Sequence, residues 1–249
     1  MKIVVDNLLI NYEIIGSNKK TILFIHGWGD DHNNLKQAFL NLKKNYRLIF
    51  IDLPGFGQSQ VPGMDFDIDK YAKLISDFIL KLNISIEVII AHSFGGSVAI
   101  KALSRNYLDV KKLILISSSG IRFNTTKKNK LKKIYLLPAK ILLSPLPKNL
   151  QNDLIKRYYG IIKSDLYLRK DMMPIFRRIV SEDVRKDAAL LKMPVLLIYG
   201  ELDKDTPVEF GLLFHQAIDN STLEIVTNSG HFVFQERKDK VLKLIQEFL

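Results

Sequence analysis

The chain has 249 residues, of which 47% are hydrophobic and 25% charged, with 13 Gly, 8 Pro and no Cys. This composition excludes collagen-like, low-complexity and disulfide-stapled proteins, and it also excludes a thiol nucleophile and a cysteine-ligated zinc site. Asp6 interrupts any N-terminal signal core, and no apolar run reaches the roughly 18 residues of a membrane span. We therefore expect a soluble, cytoplasmic protein without a transmembrane segment.

The net charge of +11 is concentrated in one segment. Residues 121–186 contain 17 basic and 5 acidic side chains, whereas the rest of the chain contains 20 basic and 21 acidic ones. Such an asymmetry indicates a separate structural unit and a docking face for an anionic partner. A lysine-rich surface whose charges are only solvated remains an alternative at this point.

Short apolar runs recur along the chain and end in Gly, Ser, Asp or His. After a hairpin pattern over residues 2–15, these runs cover residues 21–25, 46–51, 87–91, 112–116, 195–199 and 222–226. Stretches with helical periodicity lie between or after them, at residues 35–42, 68–82, 94–103, 207–217 and 241–249. Buried strands that alternate with helices predict an α/β fold, with a mostly parallel sheet covered by helices on both faces. In such sheets the ligand site lies at the carboxyl ends of the strands.

This alternation stops at residue 120 and resumes near residue 193. The segment between them is helical in composition and is interrupted by four prolines, but it has too many Ile, Leu, Tyr and Phe residues for a disordered linker. We predict a core domain formed by residues 1–120 and 187–249. Residues 121–186 are predicted to form a helical, basic cap, inserted before the penultimate strand and placed over the carboxyl ends of the strands.

Ser93 directly follows one of the buried strands and precedes Phe94, two glycines and a helix. A serine on so tight a turn is typical of a nucleophile elbow, which raises the hydroxyl above the sheet. Gly95 provides the small residue that the turn requires, whereas Ala91 stands where the commoner pattern has glycine. The alternative is that Ser93 only caps the helix, by accepting a hydrogen bond from a first-turn N–H.

A serine nucleophile needs a base and a carboxylate that orients the base. Of the five histidines, His32 and His215 lie in polar, helix-like contexts and are interpreted as surface or packing residues. Strand alternation points His92 away from the serine, and His26 is interpreted as a brace for the loop that follows it. His231 remains as the candidate base, in the loop after the last strand-like run.

Two carboxylates, Asp203 and Asp205, compete for the role of the acid. Asp203 lies closer to the end of the buried strand at residues 195–199. The resulting chain order of serine, aspartate and histidine is the one expected for this topology.

The motifs, taken in order, resemble those of the α/β-hydrolase superfamily, in its capped branch of serine esterases and related hydrolases. The corresponding segments are His26–Gly29, similar to an oxyanion loop; Asp52–Ser59, similar to the turn after the following strand; Ala91–Gly96, similar to the elbow; and Gly200–Asp203 and Gly230–Phe232, similar to the acid and base loops.

This resemblance assigns a role to each candidate residue. It implies Ser93 as nucleophile, His231 as general base and then acid, and Asp203 as the residue that orients His231. The family's Gly-x-x-Asp spacing favours Asp203 over Asp205. The resemblance also implies an oxyanion hole formed by the backbone N–H groups of Trp28 and Phe94.

The sequence therefore predicts a hydrolase that cleaves a small-molecule carboxylic ester or thioester through an acyl-enzyme on Ser93, without a metal or an organic cofactor. Alternatives are a carbon–carbon bond hydrolase or a cofactor-free haloperoxidase with the same triad, and a non-catalytic ligand-binding member of the fold. The basic segment suggests an acidic carrier protein or an anionic membrane surface as a further partner. No nucleic-acid-binding signature accompanies its lysines, so nucleic acid is not an expected partner.

Overall fold

The structure is a computed structural model that describes residues 1–122 and 170–249. The chain divides into two compact units, one formed by residues 1–121 and 174–249 and the other by residues 122–173. The larger unit contains the sheet and all of the candidate catalytic residues. In the smaller unit, the described residues include one short 3₁₀ turn, Lys170–Met172.

Eight strands form a single mixed sheet. They are β1 (Lys2–Val5), β2 (Leu8–Ile15), β3 (Thr21–Ile25), β4 (Arg47–Ile51), β5 (Val88–His92), β6 (Lys112–Ile116), β7 (Val195–Gly200) and β8 (Ser221–Val226). Their spatial order is β1-β2-β4-β3-β5-β6-β7-β8. Strands β3 to β8 are parallel to their neighbours, whereas β1 and β2 pair in antiparallel fashion with each other and β2 with β4. The six parallel strands therefore bring their carboxyl ends to one edge of the sheet.

Helices cover both faces of this sheet. Those described are α1 (His32–Phe39), α2 (Ile68–Leu82), α3 (Phe94–Ser104), α4 (Met173–Ile179), α5 (Arg185–Ala188), α6 (Val208–Ala217), α7 (Val233–Glu236) and α8 (Lys238–Phe248), with a 3₁₀ segment at Leu40–Lys44 after α1. Helix α2 begins where the Asp67 side chain accepts from the N–H of Lys70 at 2.8 Å, and it ends at Asn83 in a left-handed conformation.

The hydrophobic core explains why the strands appear as continuous apolar runs. Every residue of β3 and β5 is buried, because helices pack against both faces of the sheet. On one face, the ring of Phe24 stacks on that of Phe50, with centroids 4.4 Å apart, and Phe39 and Phe234 join the same cluster. The packing of the core thereby fixes the position of each strand end, and the polar residues follow directly after these ends.

The predicted α/β architecture, with a mostly parallel sheet covered by helices, is confirmed. The predicted strands agree with the observed ones to within about one residue. The first helix differs, because it begins at His32 rather than at residue 35. The side chain of Asp31 accepts from the N–H of Asn33 at 2.8 Å and starts the helix among polar residues that hide the periodicity. The last helix likewise begins at Lys238 rather than at residue 241.

Most of the predicted cap, residues 121–186, lies outside the described residues. Its helical character, and the domain boundaries predicted for it, therefore stay predictions. At its carboxyl end, residues 174–186 belong to the larger unit in the structure. Within the two described stretches of the chain, no helix has the length and the hydrophobicity needed to cross a membrane.

Candidate active site

Ser93 occupies the sharp turn between β5 and α3. Its backbone has φ 50° and ψ −117°, a conformation that residues other than glycine rarely adopt. Three backbone hydrogen bonds hold the turn: the N–H of Ser93 donates to the carbonyl of Ile116, and the N–H groups of Gly96 and Ser119 donate to the carbonyl of Ser93. The Ser93 side chain makes no capping hydrogen bond to α3. The alternative in which Ser93 only caps the helix is therefore wrong.

Glycines around this turn allow three chain segments to come close together. A Cβ atom at Gly95 would overlap the carbonyl oxygens of Ile25 and His26 at the end of β3. A Cβ atom at Gly27 would lie only 3.0 Å from Nδ1 of His92 and 3.2 Å from Cβ of Ser93. The loop after β3 consequently lies directly against the turn that carries the serine.

Trp28 and Phe94, the predicted oxyanion donors, lie beside each other at this contact. Their rings meet edge to face, with centroids 5.7 Å apart, and both side chains are buried. Phe94 is the first residue of α3, so its N–H has no acceptor within the helix. The rings of Phe56 and Phe176 pack against Trp28, with centroids 4.8 and 5.1 Å away. This aromatic cluster fixes the loop that would present the Trp28 N–H group.

Asp203 and His231 form a buried hydrogen-bonded pair at the ends of two neighbouring strands. Asp203 follows β7 and His231 follows β8, and a Cβ atom at Gly200 would overlap the carbonyl oxygen of Gly230. Nδ1 of His231 lies 2.9 Å from Oδ2 of Asp203, so Nδ1 carries the proton and donates it to the carboxylate. The side chain of Asp203 is fully buried, and that of His231 is 11% exposed.

Further hydrogen bonds hold the Asp203 carboxylate in its ionised form. Its Oδ1 accepts from the N–H groups of Asp205 and Thr206, both at 2.9 Å, and Oγ1 of Thr206 lies 2.8 Å from Oδ2. Burial by itself raises the pKa of Asp203. The hydrogen bonds and the charge interaction with His231 outweigh this effect, and the pKa of Asp203 is lowered below its usual value.

This geometry favours Asp203 over Asp205 as the acid. Asp205 is exposed, and it contacts Asp203 through its backbone N–H rather than through its carboxylate. Ligand atoms of Asp203, Asp205 and His231 also lie within 4.8 Å of one another, which makes them the metal-binding candidates among the described residues. Two of the three already form the hydrogen-bonded pair, so we assign no metal to them.

The contacts of His92 and Thr206 in this site were not predicted from the sequence. Nε2 of His92 lies 3.1 Å from the carbonyl oxygen of His231, and the centroids of their rings are 4.8 Å apart. Oγ1 of Thr206 lies 3.1 Å from Nδ1 of His231. The only sequence signal for Thr206 is its position three residues after Asp203, where a carboxylate turn commonly accepts a backbone N–H.

The interpretation of His32 as a surface or packing residue is wrong, because its buried side chain contacts a carboxylate. His32 is 8% exposed, and its Nδ1 lies 2.7 Å from Oδ1 of Asp52, at the end of β4. The Asp52 carboxylate also accepts from the His32 and Gln58 N–H groups and from Nδ2 of Asn11. His26 does brace the loop that follows it, as predicted, since its Nδ1 donates to the carbonyl oxygen of Gly27 at 2.7 Å. Its Nε2 accepts from the N–H of Leu53, in the loop after β4, at 2.9 Å.

Comparison with known proteins identifies the family. The model of the alpha/beta hydrolase family matches residues 22–244. The chain belongs to this family. A curated relative, the AB hydrolase superfamily protein YisY of Bacillus subtilis, is 30% identical over 98% of this chain and 96% of its own length. Monoacylglycerol lipase ABHD6 of Bos taurus is 29% identical over 93% of this chain and 76% of its own length.

Solved structures of the same fold carry several chemistries. An esterase from Exiguobacterium antarcticum superposes with a TM-score of 0.76 at 22% identity, over all of this chain and 98% of its own. A meta-cleavage product hydrolase superposes with 0.76 at 24% identity, over all of this chain and 97% of its own. At these identities the superpositions establish the fold, and the reaction has to be argued from the site.

Proposed function

We propose that this α/β hydrolase cleaves carboxylic esters or thioesters of small molecules through an acyl-enzyme on Ser93. The observation that carries the proposal is the buried hydrogen bond between Asp203 and Nδ1 of His231, 2.9 Å long. A carboxylate on Nδ1 leaves Nε2 as the basic nitrogen of a neutral imidazole, which is the form that can remove a proton from a serine.

In the proposed reaction, Ser93 Oγ attacks the carbonyl carbon while Nε2 of His231 takes its proton. The negative charge on the carbonyl oxygen is stabilised by the N–H groups of Trp28 and Phe94. His231 then gives the proton to the leaving alcohol or thiol, and the C–O or C–S bond breaks. Water, activated by the same imidazole, attacks the acyl-enzyme, releases the acid and restores Ser93. Asp203 stabilises the imidazolium in both halves of the cycle.

Two features of Ser93 support its role as the nucleophile. Its strained backbone is of the kind that persists only when the surrounding structure imposes it, and such strain concentrates at functional sites. Its hydroxyl is also not used to cap α3, although Ser93 holds the capping position. A serine with a structural role alone would be expected to use that capping hydrogen bond.

The proposal is tested with Ser93→Ala against a panel of p-nitrophenyl esters and acyl thioesters of increasing chain length. We expect the substitution to abolish turnover, and a fluorophosphonate probe to label the wild type but not the variant. Ser85→Ala, at an exposed serine, is the matched control and should keep full activity. Undiminished hydrolysis by a folded Ser93→Ala protein would refute the proposal. Labelling of Ser93 without turnover of any ester would favour the carbon–carbon hydrolase or haloperoxidase alternatives. A folded wild type that neither reacts with the probe nor turns over any ester would favour the ligand-binding alternative.

An acidic carrier protein or an anionic membrane at residues 121–186 remains a further proposal. It rests on the charge of that segment, 17 basic against 5 acidic residues, most of which lie outside the described part of the chain. Salt should then slow the hydrolysis of carrier-bound esters steeply while leaving free esters unaffected. Co-sedimentation with anionic vesicles would instead identify the membrane surface as the partner.

A further inference from the structure

His92 lies where three segments of the active site meet. It is the last residue of β5, it directly precedes Ser93, and it is 1% exposed. Its Nε2 lies 3.1 Å from the carbonyl oxygen of His231, in the loop after β8. Because a carbonyl oxygen only accepts hydrogen bonds, Nε2 must carry the proton and donate it. The contact therefore fixes the tautomer of His92 with its proton on Nε2.

The environment of the His92 ring leaves it little freedom to turn. The rings of Phe232 and Phe234 pack against it, with centroids 5.3 and 4.9 Å away, and the His231 ring lies at 4.8 Å. Its opposite edge faces the loop after β3, since a Cβ atom on Gly27 would come within 3.0 Å of Nδ1. The His92 ring, which directly precedes Ser93 in the chain, thus lies against both the predicted oxyanion loop at Gly27 and the loop that carries His231.

The charge state of His92 suits a permanent hydrogen-bond donor of this kind. Burial, with a smaller contribution from the neighbouring His231 charge, lowers the pKa of His92 to about 3, although the hydrogen bond to the His231 carbonyl and the Asp203 charge act in the opposite direction. The ring consequently stays neutral at any pH at which an esterase would be assayed. Among the described residues, Nδ1 has no hydrogen-bond partner, in agreement with a bare lone pair facing the backbone at Gly27.

We propose that His92 is a positioning residue, which holds the main chain of the His231 loop beside Ser93 through a hydrogen bond from its Nε2–H to the carbonyl oxygen of His231. The inference rests on the proposed function, because His92 can affect the reaction only if His231 is its general base. Asp203 fixes the rotation of the imidazole of His231, and His92 fixes the backbone from which that imidazole extends. The two contacts act on different atoms of the same residue.

The test compares His92→Leu, which removes the donor, with His92→Gln, whose side-chain amide can place an N–H near the position of Nε2. We expect His92→Leu to lower kcat about three- to tenfold, the range for one neutral hydrogen bond, with KM unchanged. The Gln variant should recover most of that loss. Rates are divided by the amount of Ser93 that the fluorophosphonate labels, so that unfolded protein does not lower the measured kcat. His215→Gln, at an exposed histidine, is the matched control.

A measurement on the wild type keeps the test independent of how the variants fold. Long-range ¹H–¹⁵N NMR of the histidine rings should show His92 neutral, with its proton on Nε2, throughout the range from pH 5 to 8. A proton on Nδ1 would overturn the proposal, and so would equal kcat values in the wild type and in His92→Leu. If Ser93→Ala retained activity, the proposed function would fail, whereas the NMR result would still decide whether the hydrogen bond exists.

Discussion

Two Asp–His pairs lie at the carboxyl edge of the sheet, and they differ in what surrounds the imidazole. Nδ1 of His32 contacts Asp52 at 2.7 Å, and its Nε2 also faces a carboxylate, that of Glu13, at 3.4 Å. Nδ1 of His231 contacts Asp203 at 2.9 Å. Carboxylates at both nitrogens hold an imidazole in its charged form, whereas a general base must be neutral before it acts.

Hydrogen bonding stabilises the ionised form of Asp52, as it does that of Asp203. Burial raises the pKa of Asp52, but His32, Asn11 and the Gln58 N–H together lower it far below its usual value. The hydrogen bond to Asp52 correspondingly raises the pKa of His32. We interpret the Asp52 pair as a structural ion pair that anchors the start of α1, whereas the Asp203 pair is the one to which the proposed function gives a catalytic role. The same two residue types are thus assigned different roles by their neighbours.

The largest expected difference between the Asp203–His231 and Asp52–His32 pairs is in catalysis. Asp203→Asn should lower kcat by about 10⁴, because an amide at this position favours the wrong tautomer of His231. Steady-state kinetics with a p-nitrophenyl ester would measure it. Asp205→Asn is the matched control and should stay near the wild-type rate, because the Asp205 carboxylate is exposed. The reverse pattern would identify Asp205 as the acid.

The next effect is on stability. Asp52→Asn should lower the free energy of unfolding by about 3–5 kcal/mol, the usual cost of removing one partner from a buried ion pair. Urea unfolding followed by circular dichroism at neutral pH would measure this loss. We expect kcat per labelled Ser93 to stay close to the wild-type value in this variant. A large fall in kcat with unchanged stability would contradict the structural role of Asp52.

The smallest effect is on the pH dependence of stability. The raised pKa of His32 stabilises the fold fully below the unfolded value of 6.5, and this stabilisation is lost as the pH rises through the folded value. The lowered pKa of Asp52 acts oppositely, because its contribution is present above the unfolded value of 3.8 and is lost as the pH falls through its folded value. The pair should therefore contribute most between these two limits.

A comparison of the wild type with His32→Asn, which keeps a neutral donor near the position of Nδ1, would detect this. The difference in free energy of unfolding should be larger at pH 5.5 than at pH 8.5. Glu13, Asp31 and Lys36 also act on the charge of His32, so their ionisation belongs in the fit. A difference that stays constant over this range would show that the pKa of His32 is not raised in the folded protein.

Much of the fold could be predicted because its signals are local. Strands buried on both faces appear as apolar runs such as residues 21–25 and 87–91, whatever lies next to them in space. Gly95 was predictable for a similar reason, because a serine between a strand and a helix leaves no room for a side chain two residues later. The start of α1 could not be predicted in this way, because the polar residues that follow its cap at Asp31 hide the helical periodicity.

The contacts of the histidines were harder to predict, because each depends on a distance between remote parts of the chain. Strand alternation predicts only the direction of the His92 side chain relative to Ser93, and it gives no information on the loop after β8 that His92 contacts. His32 resembles a surface residue on its helix, and only the end of β4 places Asp52 against it.

The sequence by itself determined the order of strands and helices, the family motifs and the three residue types of the proposed triad, because side-chain periodicity and turn chemistry are properties of neighbouring residues. Only the tertiary structure decided that the carboxylate of Asp203 contacts Nδ1 of His231, that the Ser93 side chain does not cap its helix, and that His92 contacts the carbonyl oxygen of His231. These outcomes depend on the sheet, which brings strand ends that are far apart in the chain within hydrogen-bonding distance.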